Sequence, residues 1–364
     1  MDITRRTLAT TAGAAAALAA LPATAQFKKR PLIIAHRGAS GERPESTLMA
    51  FRLAIAEGAD FIEPDLVSTK DGHLVVRHEN NVTETTDVAA RPEFATRKAT
   101  KVIDGESLTG WFSEDFTLAE IKTLRARERL PRLRPGSAKF DGREAIATYQ
   151  EVIDLARAES ARLRRTIGTY PEMKHPTYFA GLGLAPERRL ADMLKRNGLD
   201  SPTAPVFVQC FEVGPLKTFK TLSRAPRIQL VSAEGGPADA ALTYRDMVSA
   251  SGLKAVAAYA NGIGPDWSMV IPTVDGGLGP ATPLVADAHA AGLAVHPWTV
   301  RAENVFLPPK LRKGSNPADF GDVDAVYRAL FAAGVDGLFS DFPALAVKAR
   351  GYAAAPNCRA ARRA

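Results

Sequence analysis

From residue 30 onward the chain alternates between two patterns. Short apolar runs are separated by longer stretches in which apolar residues recur every three or four positions. A short apolar run bounded by turn residues reads as a buried strand, and the three-to-four spacing reads as a helix with one side facing a core. Strands are therefore expected at 31–35, 60–67, 166–170, 204–210, 227–231, 255–258, 293–296 and 337–340, with 74–77 extending the sheet. Helices are expected at 46–57, 147–160, 186–198, 213–223, 240–251, 281–291, 322–333 and 343–350. Eight strand–helix units predict an α/β fold of the (β/α)8 TIM-barrel kind rather than an open doubly wound sheet. The rhythm breaks once, over the polar stretch 79–142, which holds Trp111, Phe112 and the capping-box pattern Thr117-Leu-Ala-Glu120. That stretch is expected to be an inserted subdomain or a long loop over the functional site.

Composition refines this picture at the two ends. With 46% hydrophobic and 24% charged residues in 364, a barrel over 26–350 can bury a sizeable core. The first 25 residues read differently. Thr4-Arg5-Arg6-Thr7-Leu8 resembles a twin-arginine (Tat) export signal, an Ala-rich stretch follows, and Ala23-Thr24-Ala25 has the form of a cleavage site. The apolar stretch is too short for a membrane span, which needs ~20 apolar residues. A cleaved signal, a transient encounter with the Tat machinery and a periplasmic or secreted protein without a membrane anchor are expected. An ordinary secretory signal with two arginines stays open. The net charge of +7 is diffuse. Its densest stretches, 125–134 and the basic tail 351–364, read as solvated surface, and no basic–aromatic interleaving points to nucleic acid. Cys210 and Cys358 are the only cysteines, one in an expected buried strand and one in the tail, so no structural disulfide is expected.

The chemistry concentrates early. His36-Arg37, Glu63-Pro64-Asp65 and His78 fall within 43 residues. Two histidines can serve as acid and base, a carboxylate pair can hold a hard cation, and an arginine suits a phosphate. Together they point to metal-assisted cleavage of a phosphodiester. In a barrel, groups at the C-terminal strand ends converge on one mouth. His36 and Arg37 follow strand one, Glu63 and Asp65 lie near the end of strand two, and Glu172 and Lys174 follow strand three. Gln209 ends strand four and Trp298 follows strand seven. Residues two apart on a strand share a face, so Glu63 and Asp65 project together, with Pro64 turned away. Burying that acidic pair in the apolar run 61–67 without a cation would be costly. Three carboxylates with no cysteine suit calcium or magnesium rather than zinc. Of the other histidines, His73 reads as surface, His289 as a surface or packing residue of a helix, His175 as a neighbour of Lys174, and His296 as a weak substrate contact. Gly38-Ala-Ser-Gly41 reads as a plain turn.

The order HR…ExD…H, with Pro44-Glu-Ser-Thr47, Tyr170-Pro-Glu172-Met-Lys174, Val295-His-Pro-Trp-Thr-Val-Arg301 and Gly337-Leu-Phe-Ser-Asp341-Phe-Pro343, resembles the glycerophosphodiester phosphodiesterase family, most of all its periplasmic bacterial branch. The resemblance implies a (β/α)8 barrel that hydrolyses glycerophosphodiesters to an alcohol and sn-glycerol 3-phosphate. It implies His36 and His78 as the acid–base pair and Glu63, Asp65 and Glu172 as metal ligands. A site charge of −3, an irregular all-oxygen shell and supply outside the cytoplasm put calcium ahead of magnesium. It implies phosphate contacts from Arg37 and Lys174, with Gln209 and Trp298 added as candidate substrate contacts at the mouth. Pro64 and Ser46 depart from the family's usual residues, and Ser46 could alter substrate contacts. Two other readings compete: a phospholipase D-like lipid enzyme on the same barrel, and a non-catalytic binding protein.

Overall fold

The computed structural model describes residues 30–353. The expected export signal and the basic tail beyond 353, with Cys358, lie outside the described residues. Eight parallel strands close on themselves in chain order: β1 (Leu32–His36), β2 (Phe61–Glu63 with Asp65–Ser68), β3 (Gly168–Thr169 with Glu172–Met173), β4 (Val208–Cys210), β5 (Arg227–Val231), β6 (Gly262–Pro265), β7 (Ala294–Val295) and β8 (Gly337–Ser340). Closure runs through Leu32↔Gly337 to Ala35↔Ser340 between β1 and β8. Between β7 and β8, where the ladder is thinnest, the amides of Asp336 and Phe339 donate to the carbonyls of Val295 and Pro297. The fold is a (β/α)8 barrel.

Two strands are each split by a proline. Pro64 and Pro171 have no N–H to give, but their carbonyls accept from Glu172 N and Gln209 N at 3.0 and 2.9 Å. The chain therefore continues along the barrel wall through both breaks. Inside the barrel, Ile34, Phe61, Tyr170, Phe207, Ile228 and Phe339 pack together. A larger apolar layer lies between the strands and the outer helices.

One expected strand is absent. Residues 255–257 belong to the helix Ala250–Ala257, with Ala258 as its C-cap and the Ser249 side chain accepting from Gly252 N at its start. Leu253 and Val256, both buried, are three apart, which is helical spacing. The sixth strand is instead Gly-Ile-Gly-Pro at 262–265. A Cβ at Gly262 would come 2.7 Å from Ala294 O, and one at Gly264 would come 2.6 Å from Leu230 Cδ2. Close approach to neighbouring strands, not β-propensity, sets those residues.

After β2 the chain turns and returns as Leu74–Val76, antiparallel to β2 with Leu66↔Val76 in register. That reversal brings Arg77 and His78 back down to the mouth. The segment that follows has its own apolar cluster, including Val82, Phe94, Trp111, Phe116 and Leu124. It carries the antiparallel hairpin Ala99–Ile103 and Glu106–Gly110, and the capping box at Thr117 and Glu120 is formed. No helix among the described residues is long and apolar enough to cross a membrane.

Candidate active site

Strand register assembles the site. His36 pairs with Glu63 across β1 and β2, Asp65 with Glu172 across β2 and β3, and Glu172 with Gln209 across β3 and β4. Four neighbouring strands thus place their polar residues in one row at the C-terminal rim. A cavity of about 370 Å³ opens above it, lined by His36, Arg37, Glu63, His78, Glu172, Lys174, Gln209 and Trp298 among others. A larger cavity of about 550 Å³ between the helix Tyr149–Leu163 and the start of β3 holds none of the candidate residues.

Glu63, Asp65 and Glu172 are all buried, and one carboxylate oxygen from each lies within 4.8 Å of the others. Glu63 accepts from Arg37 N at 2.8 Å and from Gln209 Nε2 at 3.1 Å. Burial pushes the Glu63 carboxyl well above the usual range, with the charges of Asp65 and Glu172 adding to it. Burial likewise raises Glu172, to about 7, against the pull of Lys174. Asp65 Oδ2 and Gln209 Oε1 are buried without hydrogen bonds; the nearest cation to that Asp65 oxygen is Arg37 Nε at 3.1 Å. A crowded all-oxygen set with orphaned acceptors and mutual repulsion fits a hard divalent cation, which would satisfy those acceptors and offset the repulsion.

Two cations complete the anionic row. Arg37 is held by Glu45 at 3.1 Å and by Asp65. Lys174 Nζ donates to Glu172 Oε1 at 2.8 Å and lies 3.1 Å from His78 Nε2. The two histidines are held differently. His36 Nδ1 lies 2.6 Å from Asp341 Oδ1. An acceptor there places the proton on Nδ1 and leaves Nε2 as the basic nitrogen. His78 Nδ1 lies 2.5 Å from Glu79 Oε1. Burial, and then the charge of Arg37, lowers both histidines to about 4, with Lys174 adding to the effect on His78.

Asp341 has no role in the sequence reading, although it stands in a matched motif at the end of β8. Burial would raise its carboxyl, but Arg134 and Arg301 hold it well below the ordinary range. Arg134 bonds Asp341 Oδ2 at 2.5 Å and Glu303 at 2.7 Å. This corrects the reading of 125–134 as solvated surface: Arg134 is buried, and Arg129 reaches Glu45 at 3.3 Å. Nothing local in the sequence marks Arg134, because its partners are 169 and 207 residues away.

The remaining candidates fall into place around the cavity. Trp298 donates from Nε1 to Gly264 O at 2.7 Å and forms part of the wall. His296 is buried in the barrel interior against Tyr170 OH at 2.8 Å. His289 bonds Asp336 at 2.8 Å on the outer layer. Ser46 is fully buried and does not line the cavity. In the 38–41 turn the amides of Gly38, Ala39 and Gly41 donate to the carbonyls of Ala35, Ala50 and Asp341. Cys210 is a free, buried thiol.

The glycerophosphoryl diester phosphodiesterase family model matches residues 36–345, nearly the whole barrel. The chain belongs to this family. A glycerophosphodiester phosphodiesterase of Arabidopsis thaliana is 36% identical over 326 residues, covering 86% of this chain and 84% of the relative. One from Haemophilus influenzae is 31% identical over 355 residues, covering 88% and 90%. The structure of an Oleispira antarctica phosphodiesterase, in complex with the product sn-glycerol-3-phosphate, superimposes with a TM-score of 0.58 at 21% identity, covering 90% of this chain and 98% of that one. As a family member the chain is a phosphodiesterase, and its rim cavity is the candidate active site.

Proposed function

We propose that the protein hydrolyses glycerophosphodiesters to an alcohol and sn-glycerol 3-phosphate, with His36 and His78 as base and acid. One observation carries the reading: both histidines line a single cavity with Arg37, Lys174, Glu63 and Glu172, and the last two cluster with Asp65. A hard divalent cation held by Glu63, Asp65 and Glu172, calcium ahead of magnesium, would supply Lewis-acid stabilisation of charge on the phosphoryl oxygens. Arg37 and Lys174 add fixed positive charge at the same place. His36 Nε2 takes the proton from the glycerol 2-hydroxyl, whose oxygen attacks phosphorus from within the substrate and gains from proximity. His78 protonates the departing alcohol oxygen. A five-membered cyclic phosphate results, and water opens it with the histidine roles reversed. The product held by the Oleispira antarctica enzyme is the one this sequence of steps delivers.

Product analysis on a panel of glycerophosphodiesters, with and without chelator, tests the reading. Glycerol 3-phosphate should appear only with the cation present, and an analogue whose glycerol 2-hydroxyl is replaced by hydrogen should not turn over. Full activity after exhaustive chelation overturns the metal role, and normal turnover of the analogue overturns the cyclic route. Faster turnover of intact phosphatidylcholine than of glycerophosphocholine would favour a lipid enzyme, and binding without turnover would favour a binding protein.

The same proposal includes export to the periplasm or medium by the Tat route, supported by Arg5, Arg6 and the Ala23-Thr24-Ala25 site. Changing both arginines to lysine should retain the protein in the cell. Unchanged export would point to general secretion.

A further inference from the structure

The inserted stretch leaves the barrel after β2 and rejoins it before β3, yet one of its side chains reaches back past β1 to the loops of β7 and β8. Arg134 uses three nitrogens on three loops. Nη1 donates to Ser40 O after β1 at 3.0 Å, Nε to Glu303 Oε1 after β7 at 2.7 Å, and Nη2 to Asp341 Oδ2 just beyond β8 at 2.5 Å. The side chain is 5% exposed, and both carboxylates it meets are buried. Arg134 does not line the catalytic cavity, so whatever it does for the reaction it does through its partners.

Those partners lead to His36. Asp341 divides its oxygens: Oδ1 holds His36 Nδ1 at 2.6 Å, and Oδ2 takes Arg134. A carboxylate turns about one bond, so fixing Oδ2 fixes Oδ1 and with it the imidazole. Ser40, whose carbonyl also takes Arg134, donates from Oγ to His36 O at 2.7 Å. Arg134 thus reaches His36 through both its side chain and its backbone. A second cation, Arg301 Nε, lies 3.1 Å from Asp341 Oδ2, but Arg301 is 27% exposed and lines the cavity, where water screens the pair. In the same segment as Arg134, Arg129 stands 3.3 Å from Glu45, the carboxylate that holds Arg37. One piece of the insertion therefore stands behind both members of the His36-Arg37 pair. A planar guanidinium serves several acceptors in one rigid fork, which the single ammonium of a lysine does not reproduce.

We propose that Arg134 is a positioning residue for His36: it locks the Asp341 carboxylate, and through it the imidazole, so that the inserted subdomain takes a direct part in catalysis. The inference rests on the phosphodiesterase reading above, in which His36 is the base. The test is a double-mutant cycle with Arg134→Lys, Asp341→Asn and the two combined, assayed on the glycerophosphodiester of the panel above that wild type turns over fastest. Lysine keeps the charge and loses the three-way grip. Arg134→Lys should lower kcat by about tenfold or more, the scale of a misplaced reacting group. It should leave KM within about twofold, because the cavity wall is unchanged. In the Asp341→Asn background the same change should cost less than about twofold, because the link it acts through is already broken. An arginine that only held the fold together would cost the same factor in both backgrounds. Should Arg134→Lys fail to fold, Glu303→Gln, which loosens the guanidinium from its other side, takes its place in the cycle with the same expected pattern. An unchanged kcat, a loss confined to KM, or an undiminished loss in the Asp341→Asn background overturns the positioning role and leaves the phosphodiesterase reading intact. No glycerol 3-phosphate from wild type on any diester of the panel overturns that reading, and the positioning role with it.

Discussion

Asp341 decides what His36 can do. Its carboxylate fixes the imidazole tautomer and stabilises the imidazolium that forms when the ring takes a proton. Asp341→Asn should keep the fold, since an amide fills the same space, but lower kcat by about 100-fold, the scale of a general base's contribution. The pH profile should move as well. Burial and Arg37 hold His36 low, at about 4, while Asp341 raises it. Activity that needs neutral His36 should rise through an acidic limb near that value, and removing Asp341 should push the limb lower still. An unchanged kcat, or a limb that moves upward, would show that His36 does not act as the base. Residues of this kind were only half legible. His36, Glu63, Asp65 and His78 announce themselves because unlike chemistry crowds a short segment. Asp341 sits in a motif but lacks a local partner, and Arg134 becomes meaningful only once folding brings it to Asp341.

At the scale of elements, the hairpin Ala99–Gly110 offers the clearest case of local structure serving the site. Its tip residue Asp104 has φ +49°, next to Gly105 at +88°, a turn conformation that glycine accepts without strain. That tip is tied to the rim by His175. Burial would lower the His175 imidazole, but Asp104 and Glu79 together raise it to about 9. A raised folded pKa means the tie stabilises fully below the ordinary value of 6.5 and is lost as pH climbs through about 9. Amide exchange in residues 99–110, corrected for its intrinsic pH dependence, should lose protection across that window. In His175→Ala protection should be low at every pH. Constant protection in wild type from 6 to 10 would refute the tie. Most elements were readable from pattern because helices such as Tyr149–Leu163 and Val323–Ala332 carry both periodicity and a capping side chain. The sixth strand was not, because its sequence answers to close packing in the barrel wall, and the adjacent helix has an apolar run that reads equally as strand.

Across the whole molecule, the barrel's stability and its chemistry pull in opposite directions at the carboxylate cluster. Three buried acids at the rim crowd the cation-free fold, and the Glu63 carboxyl is pushed up by burial and by its two neighbours. A raised carboxyl pKa means the cation-free protein loses stability as pH rises above the ordinary value of 4.5. A cation that binds only the folded state reverses this, adding about 2.7 kcal/mol at a hundredfold excess over Kd. Calcium should therefore raise the Tm by a few degrees, and the gain should grow from pH 5 to pH 8. Glu63→Gln removes one charge at nearly constant volume. It should raise the Tm in chelator, abolish the calcium-dependent increment and abolish turnover, a trade of stability for function common where a site needs strain. The decisive measurement is the thermal transition of both proteins in chelator and in calcium. If Glu63→Gln melts lower than wild type in chelator, Glu63 is a structural acid satisfied by Arg37 and Gln209, and the cation must be sought elsewhere on the rim.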